Sequence, residues 1–384
     1  MDNNIRALFP AAQNYTYLNS ASIAPLPVTA VRAVAAQLED VSNSGSVNFW
    51  DWHAAKNRAR ELTASMLGVH AEEIAFLRNT SDGFCSVAAG MNWQKGDNIV
   101  TFAGEFPANY YPWRGLRDNH GVEIRACGEL GGGNGGGGGG SRINIDELTS
   151  LIDENTKLVA VSAVQYSSGF SLDLERIGSA VRKTDALFAV DIIQAFGVTP
   201  FDLPAQYIDI ASGASYKWLC APEGCGIFYL GSRAREQIKP VSIGWMSVEE
   251  PWDFANREQG LKSGCLAWET GMCGSALFYG LEQSLALLRK TGVSQIAAYL
   301  EELTDFLCEI LPARYEIVSS RIKGEKSQIV SIRPLNGNGA TADSITEHLR
   351  LRDIIVSSRG GCIRIAPHFF NNFRDIERLV EYLP

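Results

Sequence analysis

Long apolar runs are missing from this sequence. No stretch reaches the roughly 18 residues needed to span a bilayer, so a membrane partner is not expected. The opening MDNNIRALFPAAQNYTYLNS also lacks the charged start and apolar stretch of a secretory signal, and a cytoplasmic location is the expectation. Positive charge is in deficit, with 34 Lys and Arg against 43 Asp and Glu, a net charge of −9. A nucleic-acid binder more usually carries a basic face, so that class of partner is disfavoured. Histidine is scarce, five residues far apart, which argues against a metal site. None of the eight cysteines forms a CxxC pair, so neither a zinc site nor a disulfide framework is expected, and the thiols are read as free and mostly buried.

What is present describes an ordinary soluble α/β protein, 46% hydrophobic and 20% charged over 384 residues. That length favours two domains. Helical apolar spacing occurs at 27–42 and 53–68, the latter ending on Gly68. Short apolar runs follow at 73–77, 98–103, 122–126, 157–163, 187–191 and 226–230, with helical stretches between them. Such alternation predicts a largely parallel sheet with crossover helices. A long helical region begins at 277–290, and from about 294 the pattern becomes helix, strands, helix, which predicts a smaller α/β domain. The expected division is a large domain over 16–290 and a small one over 291–384, with 1–15 packing nearby. The segment GGGNGGGGGGS at 131–141 lacks the spacing and Lys-Ser/Thr ending of a phosphate-binding loop and is expected to be a surface loop without chemistry.

The chemistry-bearing stretch is LFAVDIIQAFGVTPFDLPAQYIDIASGASYKWLCAPEGCGIFYL, 187–230. An apolar strand delivers Asp191 at its C-terminal end, where open α/β sheets bind ligands, with Gln194 three residues on. After the strand-like run YIDIAS comes Lys217, so the carboxylate and the amine are expected at neighbouring strand ends. Upstream, EIAFLRNTSDGF reads as a strand, a hydroxyl pair and a helix, which makes Thr80 and Ser81 an expected phosphate seat at a helix N-terminus, with a simple cap at Ser81 as the alternative. Phe106 follows a strand and offers an aromatic face. Arg364 lies in the apolar run CIRIA, where an unpaired charge is costly, so it needs an anion: a carboxylate ligand or a structural ion pair.

D-x-x-Q followed some two dozen residues later by K-W-x-x-x-P-x-G-x-G resembles the signature of class V aminotransferases and cysteine desulfurases, within the fold-type I pyridoxal 5′-phosphate (PLP) enzymes. YLNSAS (17–22), RNTSDGF (78–84), GEFPANYYPW (104–113), VQYSSG (164–169), ETGMCG (269–274) and SSRGGCIRIAPHFFNN (357–372) resemble further family segments in the expected order. The resemblance implies that Lys217 holds PLP as a Schiff base and serves as general base, and that Asp191 keeps the pyridine nitrogen protonated. It implies phosphate contacts from Thr80 and Ser81, ring stacking by Phe106, and ring-edge contacts from Gln165 and Gln194. Ala21 would line the substrate pocket, and Arg364 would bind the substrate carboxylate. It implies a homodimer with shared active sites. The chain departs from the pattern at Phe106 and Tyr216, where desulfurases carry histidines. Ala214 stands where a phosphate-binding serine is frequent, leaving Ser212 or Ser215 as substitutes. Met272 stands where a hydroxyl is expected, leaving Thr270.

Desulfurases need a mobile cysteine thiolate, and Cys362, three residues after Arg359 in a tight turn, has no room for that excursion. The resulting expectation is transamination of a small amino acid. A C–S β-lyase or desulfurase-like reaction stands as the alternative, epimerisation follows, and a catalytically silent scaffold is the reading from another class. A nicotinamide-binding enzyme is disfavoured, because the glycine-rich segment does not open a helix after a strand.

Overall fold

The structure, a computed structural model, describes residues 3–130, 142–335 and 340–384. The glycine-rich stretch at 131–141, expected as a surface loop, lies outside the described residues. Seven strands form the central sheet: β1 (Ile74–Leu77), β2 (Asn98–Phe102), β3 (Glu123–Cys127), β4 (Thr156–Ser162), β5 (Leu187–Asp191), β6 (Ile210–Ala214) and β7 (Gly226–Leu230). Their order is β1-β7-β6-β5-β4-β2-β3. Pairing from β6 through β3 is parallel, and β7 runs antiparallel to both of its neighbours.

The strands inside the sheet are mainly apolar because both faces are covered, whereas the edge strand β3 (EIRAC) is largely exposed. Successive residues alternate between two cores: Phe76, Val159, Phe188 and Ile227 pack on one face, Ala75, Leu158, Leu187 and Phe228 on the other. The flanking helices include α1 (Val28–Ser44), α2 (Phe49–Leu67), α3 (Thr80–Gly90), α4 (Tyr111–His120), α5 (Leu174–Val181) and α6 (Ser275–Thr291). α6 packs along α1 and α2, while α3 lies against β6 and β7. Where α3 enters, space is minimal: a Cβ on Gly226 would come within 2.5 Å of the Asn79 backbone nitrogen, so glycine is required at the start of β7.

A four-stranded antiparallel sheet follows, built from β8 (Tyr315–Ile317), β9 (Val330–Pro334), β10 (Ser357–Arg359) and β11 (Cys362–Ile365), in the order β8-β9-β11-β10. It is accompanied by α7 (Val293–Ile310), α8 (Ala342–Arg350) and α9 (Phe373–Tyr382). The N-terminal segment ties the parts together. Thr16–Tyr17 pairs in parallel with Ile354–Ile355, and Asn19 bridges to Ala366. That crossing brings residues 19–22 against Gln194, just beyond β5, and against Arg364 near the end of β11. No helix among the described residues is long and apolar enough to cross a membrane.

Candidate active site

Asp191 closes β5, in register with Ser162 of β4 and Ser212 of β6. Its side chain is buried, and Oδ1 accepts from the Ile193 backbone N–H at 2.9 Å. Oδ2 has no hydrogen-bond partner among the described residues. A buried carboxylate oxygen left unmatched is expensive, so this atom marks a place for a donor. Burial pushes the Asp191 carboxyl above the usual carboxylate range, and the charge of Lys217 pulls it back. Lys217 sits three residues beyond β6, in a turn closed by the Cys220 N–H on the Lys217 carbonyl and the Ala221 N–H on the Ser215 carbonyl. Burial holds its ammonium well below the ordinary lysine range, against the pull of Asp191, and Arg364 and Arg359 push the same way as burial. Its Nζ stands 5.5 Å from the centre of the Phe106 ring and 5.8 Å from that of Tyr216. No salt bridge within 4.0 Å joins Lys217 to Asp191, so each charge acts on the other without direct contact.

The neighbours hold this pair in place. Trp218 donates from Nε1 to Gln194 Oε1 at 2.8 Å, and Gln194 Nε2 donates to the Ala21 carbonyl, which leaves Gln194 a second amide proton. His368, fully buried against Trp218, accepts the Phe369 N–H on Nδ1, so its proton resides on Nε2 and is donated to the Trp218 carbonyl at 3.1 Å. Gln165 donates to the Gly104 carbonyl, and its Oε1 accepts from the backbone and hydroxyl groups of Ser167 and Ser168. Phe106 is exposed and packs edge-on against Tyr166 at 5.1 Å.

Arg364, on β11, is 2% exposed and has no carboxylate partner among the described residues. It donates to the Tyr166 carbonyl at 2.7 Å and to Ser22 Oγ at 2.6 Å, while Nε has no partner. The Arg359 guanidinium lies 3.5 Å from the same hydroxyl. Burial first, then the charge of Arg359, lowers the pKa of Arg364 to about 9. Such a site favours an anion.

The start of α3 differs in detail from the sequence expectation. Its cap is Asn79, whose Oδ1 accepts the Asp82 N–H, rather than Ser81. Thr80 is the first helical residue, and its hydroxyl is buried without a partner, whereas Ser81 is exposed. Ser212 Oγ donates to the Thr80 carbonyl, and Ser215 Oγ donates to the Pro222 carbonyl within its own turn, so the Ser215 proton is committed there. Thr270 is exposed and, with Met272, lines a cavity of about 610 Å³ beside Arg78 and Asp82, and neither Lys217 nor Asp191 borders that cavity. Within one chain, therefore, Thr270 is apart from the Lys217 site.

The family model Aminotransferase class-V matches residues 16–375. This chain belongs to the class-V aminotransferase family. Its cofactor is accordingly pyridoxal 5′-phosphate, and its fold is fold-type I. Among curated proteins, this class-V chain is 24% identical to one from Methanothermobacter thermautotrophicus named "Probable cysteine desulfurase", over 99% of this chain and 96% of that one. It is 22% identical to a Bacillus subtilis protein named "Uncharacterized aminotransferase YcbU", over 98% and 95%. Among solved structures, the cystine C–S lyase C-DES, in complex with its reaction product cysteine persulfide, superimposes with a TM-score of 0.88 at 21% identity, covering 98% of each chain.

The class-V cofactor fits the residues present. The unmatched Asp191 Oδ2 suits a pyridinium N–H, the unpartnered Thr80 hydroxyl suits a phosphate oxygen, and a low-pKa amine feels the charges of Asp191 and two arginines. Three further groups at the site escaped the sequence reading: Ser22, which meets both arginines, His368 beneath Trp218, and Glu105 beside Phe106. All three lie in segments that resemble the family, Ser22 in YLNSAS, Glu105 in GEFPANYYPW and His368 in SSRGGCIRIAPHFFNN, but no role was read for them there.

Proposed function

We propose that this chain is a PLP-dependent C–S β-lyase of the desulfurase-like kind, acting on a small sulfur-containing amino acid. The observation that carries the reading is the convergence of Lys217, the unmatched Asp191 oxygen and the Arg364–Ser22 anion seat at the ends of β5, β6 and β11. When bound, PLP supplies an electron sink for the bonds broken at Cα and Cβ. Lys217 Nζ would hold the group. Its depressed pKa suits it to take the Cα proton near neutral pH. Asp191 Oδ2 would receive the ring N–H, Phe106 would cover one ring face, and the free amide protons of Gln194 and Gln165 would serve the ring edge. Thr80, Ser81 and the α3 N-terminus would take the phosphate. Ala21 fixes Gln194 through its carbonyl, and Arg364 with Ser22 would orient the substrate carboxylate. Ser215 supports the Lys217 turn.

Carbon–sulfur cleavage is supported over transamination by the desulfurase and C–S lyase names among relatives and structural neighbours. Two cysteines near the site, Cys362 and Cys220, support release of the sulfur product over its storage on the protein. Cys362 is buried in β11 and burial raises its thiol pKa; Cys220 is enclosed beside His368, and burial raises its thiol further. Eight free cysteines are in keeping with the cytoplasm. A homodimer is proposed from the exposed apolar group of Trp50, Trp245, Phe254 and Met272, with Thr270 reaching the partner's phosphate. A product screen with single amino acids tests the reaction. Sulfide or persulfide together with pyruvate from cysteine or cystine is the expected result. A pyridoxamine form with a keto acid and no sulfur product would establish transamination instead, and loss of optical activity without product would establish epimerisation.

A further inference from the structure

We propose that Glu105 is a positioning residue: its buried carboxyl ties the backbone beside Phe106 to the end of β4, at the register partner of Asp191. The inference rests on the cofactor reading of the Lys217 site. Glu105 lies between the end of β2 and Phe106 and is 9% exposed. It has no cationic partner within 4.0 Å among the described residues. One oxygen, Oε1, accepts the Ser162 N–H. The other, Oε2, lies 2.6 Å from Ser162 Oγ and 3.1 Å from the Phe106 N–H. Ser162 in turn is the register partner of Asp191. A single side chain therefore links the residue facing Lys217 Nζ to the strand beside the residue proposed to hold the ring nitrogen.

The charges around it explain why the carboxyl is neutral. From β5, Asp191 faces it with a like charge. Ser162 on β4 and the Phe106 backbone offer only neutral donors. Lys217, beyond β6, directs its attraction to Asp191, and Arg364 and Arg359 act on Lys217. Burial raises the Glu105 pKa to about 8, the Ser162 hydroxyl and N–H oppose this, and the charge of Asp191 adds to it. A second charge beside Asp191 is avoided, which leaves Asp191 as the carboxylate for a ring N–H.

Two variants separate positioning from bulk. Glu105→Gln keeps the shape and the acceptor for the Ser162 N–H, but puts an amide NH2 where Oε2 accepts from Ser162 Oγ and the Phe106 N–H. Glu105→Ala removes all three contacts. PLP affinity and the visible absorbance of the bound cofactor are measured at 25 °C and pH 7. The expected result is roughly tenfold weaker binding with an altered spectrum for Glu105→Ala, and a clearly smaller loss for Glu105→Gln, which keeps one of the acceptors. Equal binding by wild type and Glu105→Ala overturns the inference, as does a Glu105→Gln variant as impaired as Glu105→Ala. Thermal denaturation of the cofactor-free proteins decides independently. A carboxyl whose pKa rises from 4.5 to about 8 on folding contributes stability that is complete below about pH 4.5 and is lost as pH climbs to about 8. The Tm of Glu105→Gln minus that of wild type should therefore rise between about pH 5 and 8 and then level. A flat difference across that window overturns the neutral state. Failure of wild type to bind PLP refutes the site reading, and the denaturation arm still reports on Glu105.

Discussion

A buried guanidinium without a carboxylate partner is the most informative single residue in the molecule. Arg364 is enclosed to 2% exposure, yet its partners among the described residues are a carbonyl and a hydroxyl. Neither neutralises the charge, so burial depresses its pKa. A substrate carboxylate would recover that loss through charge-assisted hydrogen bonds. Arg364→Ala should raise KM roughly ten- to hundredfold, in line with the ~1.5–3 kcal/mol of such bonds, while kcat changes less. Steady-state kinetics across substrate concentrations checks this. A lowered Tm with unchanged KM would give Arg364 a structural role. The residue was legible in the sequence, because an arginine inside CIRIA requires an anion. Glu105 was not, because its burial arises from contact with Ser162, 57 positions away.

Among elements, the strands were the most legible. The apolar runs at 187–191 and 226–230 coincide with β5 and β7, since strands buried on both faces need unbroken apolar sequence. Direction was less so. β7 is antiparallel, and apolar content does not encode polarity. The connection does: only residues 215–225 separate β6 from β7, with no crossover helix, too short for a parallel return. The run YIDIAS places the next strand early, because Tyr207 sits in a turn at φ +57° and β6 starts at Ile210. The cap of α3 moves to Asn79 because an extended backbone there lets its side chain reach the Asp82 N–H, leaving Thr80 inside the helix.

At the level of the whole molecule, the fold gathers segments around 19–22, 105–106, 162–165, 191–194, 217 and 359–364 into one place. The central sheet supplies strand ends, the N-terminal segment crosses them, and the four-stranded sheet brings the arginines. The motif order of the sequence anticipated this gathering. The exposed aromatic group remained illegible, since Trp50 and Trp252 lie far apart in sequence and meet only through the fold, with ring centres 5.3 Å apart. If that group is a subunit interface, light scattering at micromolar concentration should give twice the 41.9 kDa chain mass; a monomer would count against the shared-site dimer. The most direct test of the Lys217 site is chemical. The protein is loaded with PLP, reduced with borohydride, digested and mapped by mass. The expected result is one stable pyridoxyl label on Lys217, lost in Lys217→Ala together with visible absorbance and turnover. Labelling at another lysine with Lys217 unmodified, or full turnover by Lys217→Ala, would contradict it.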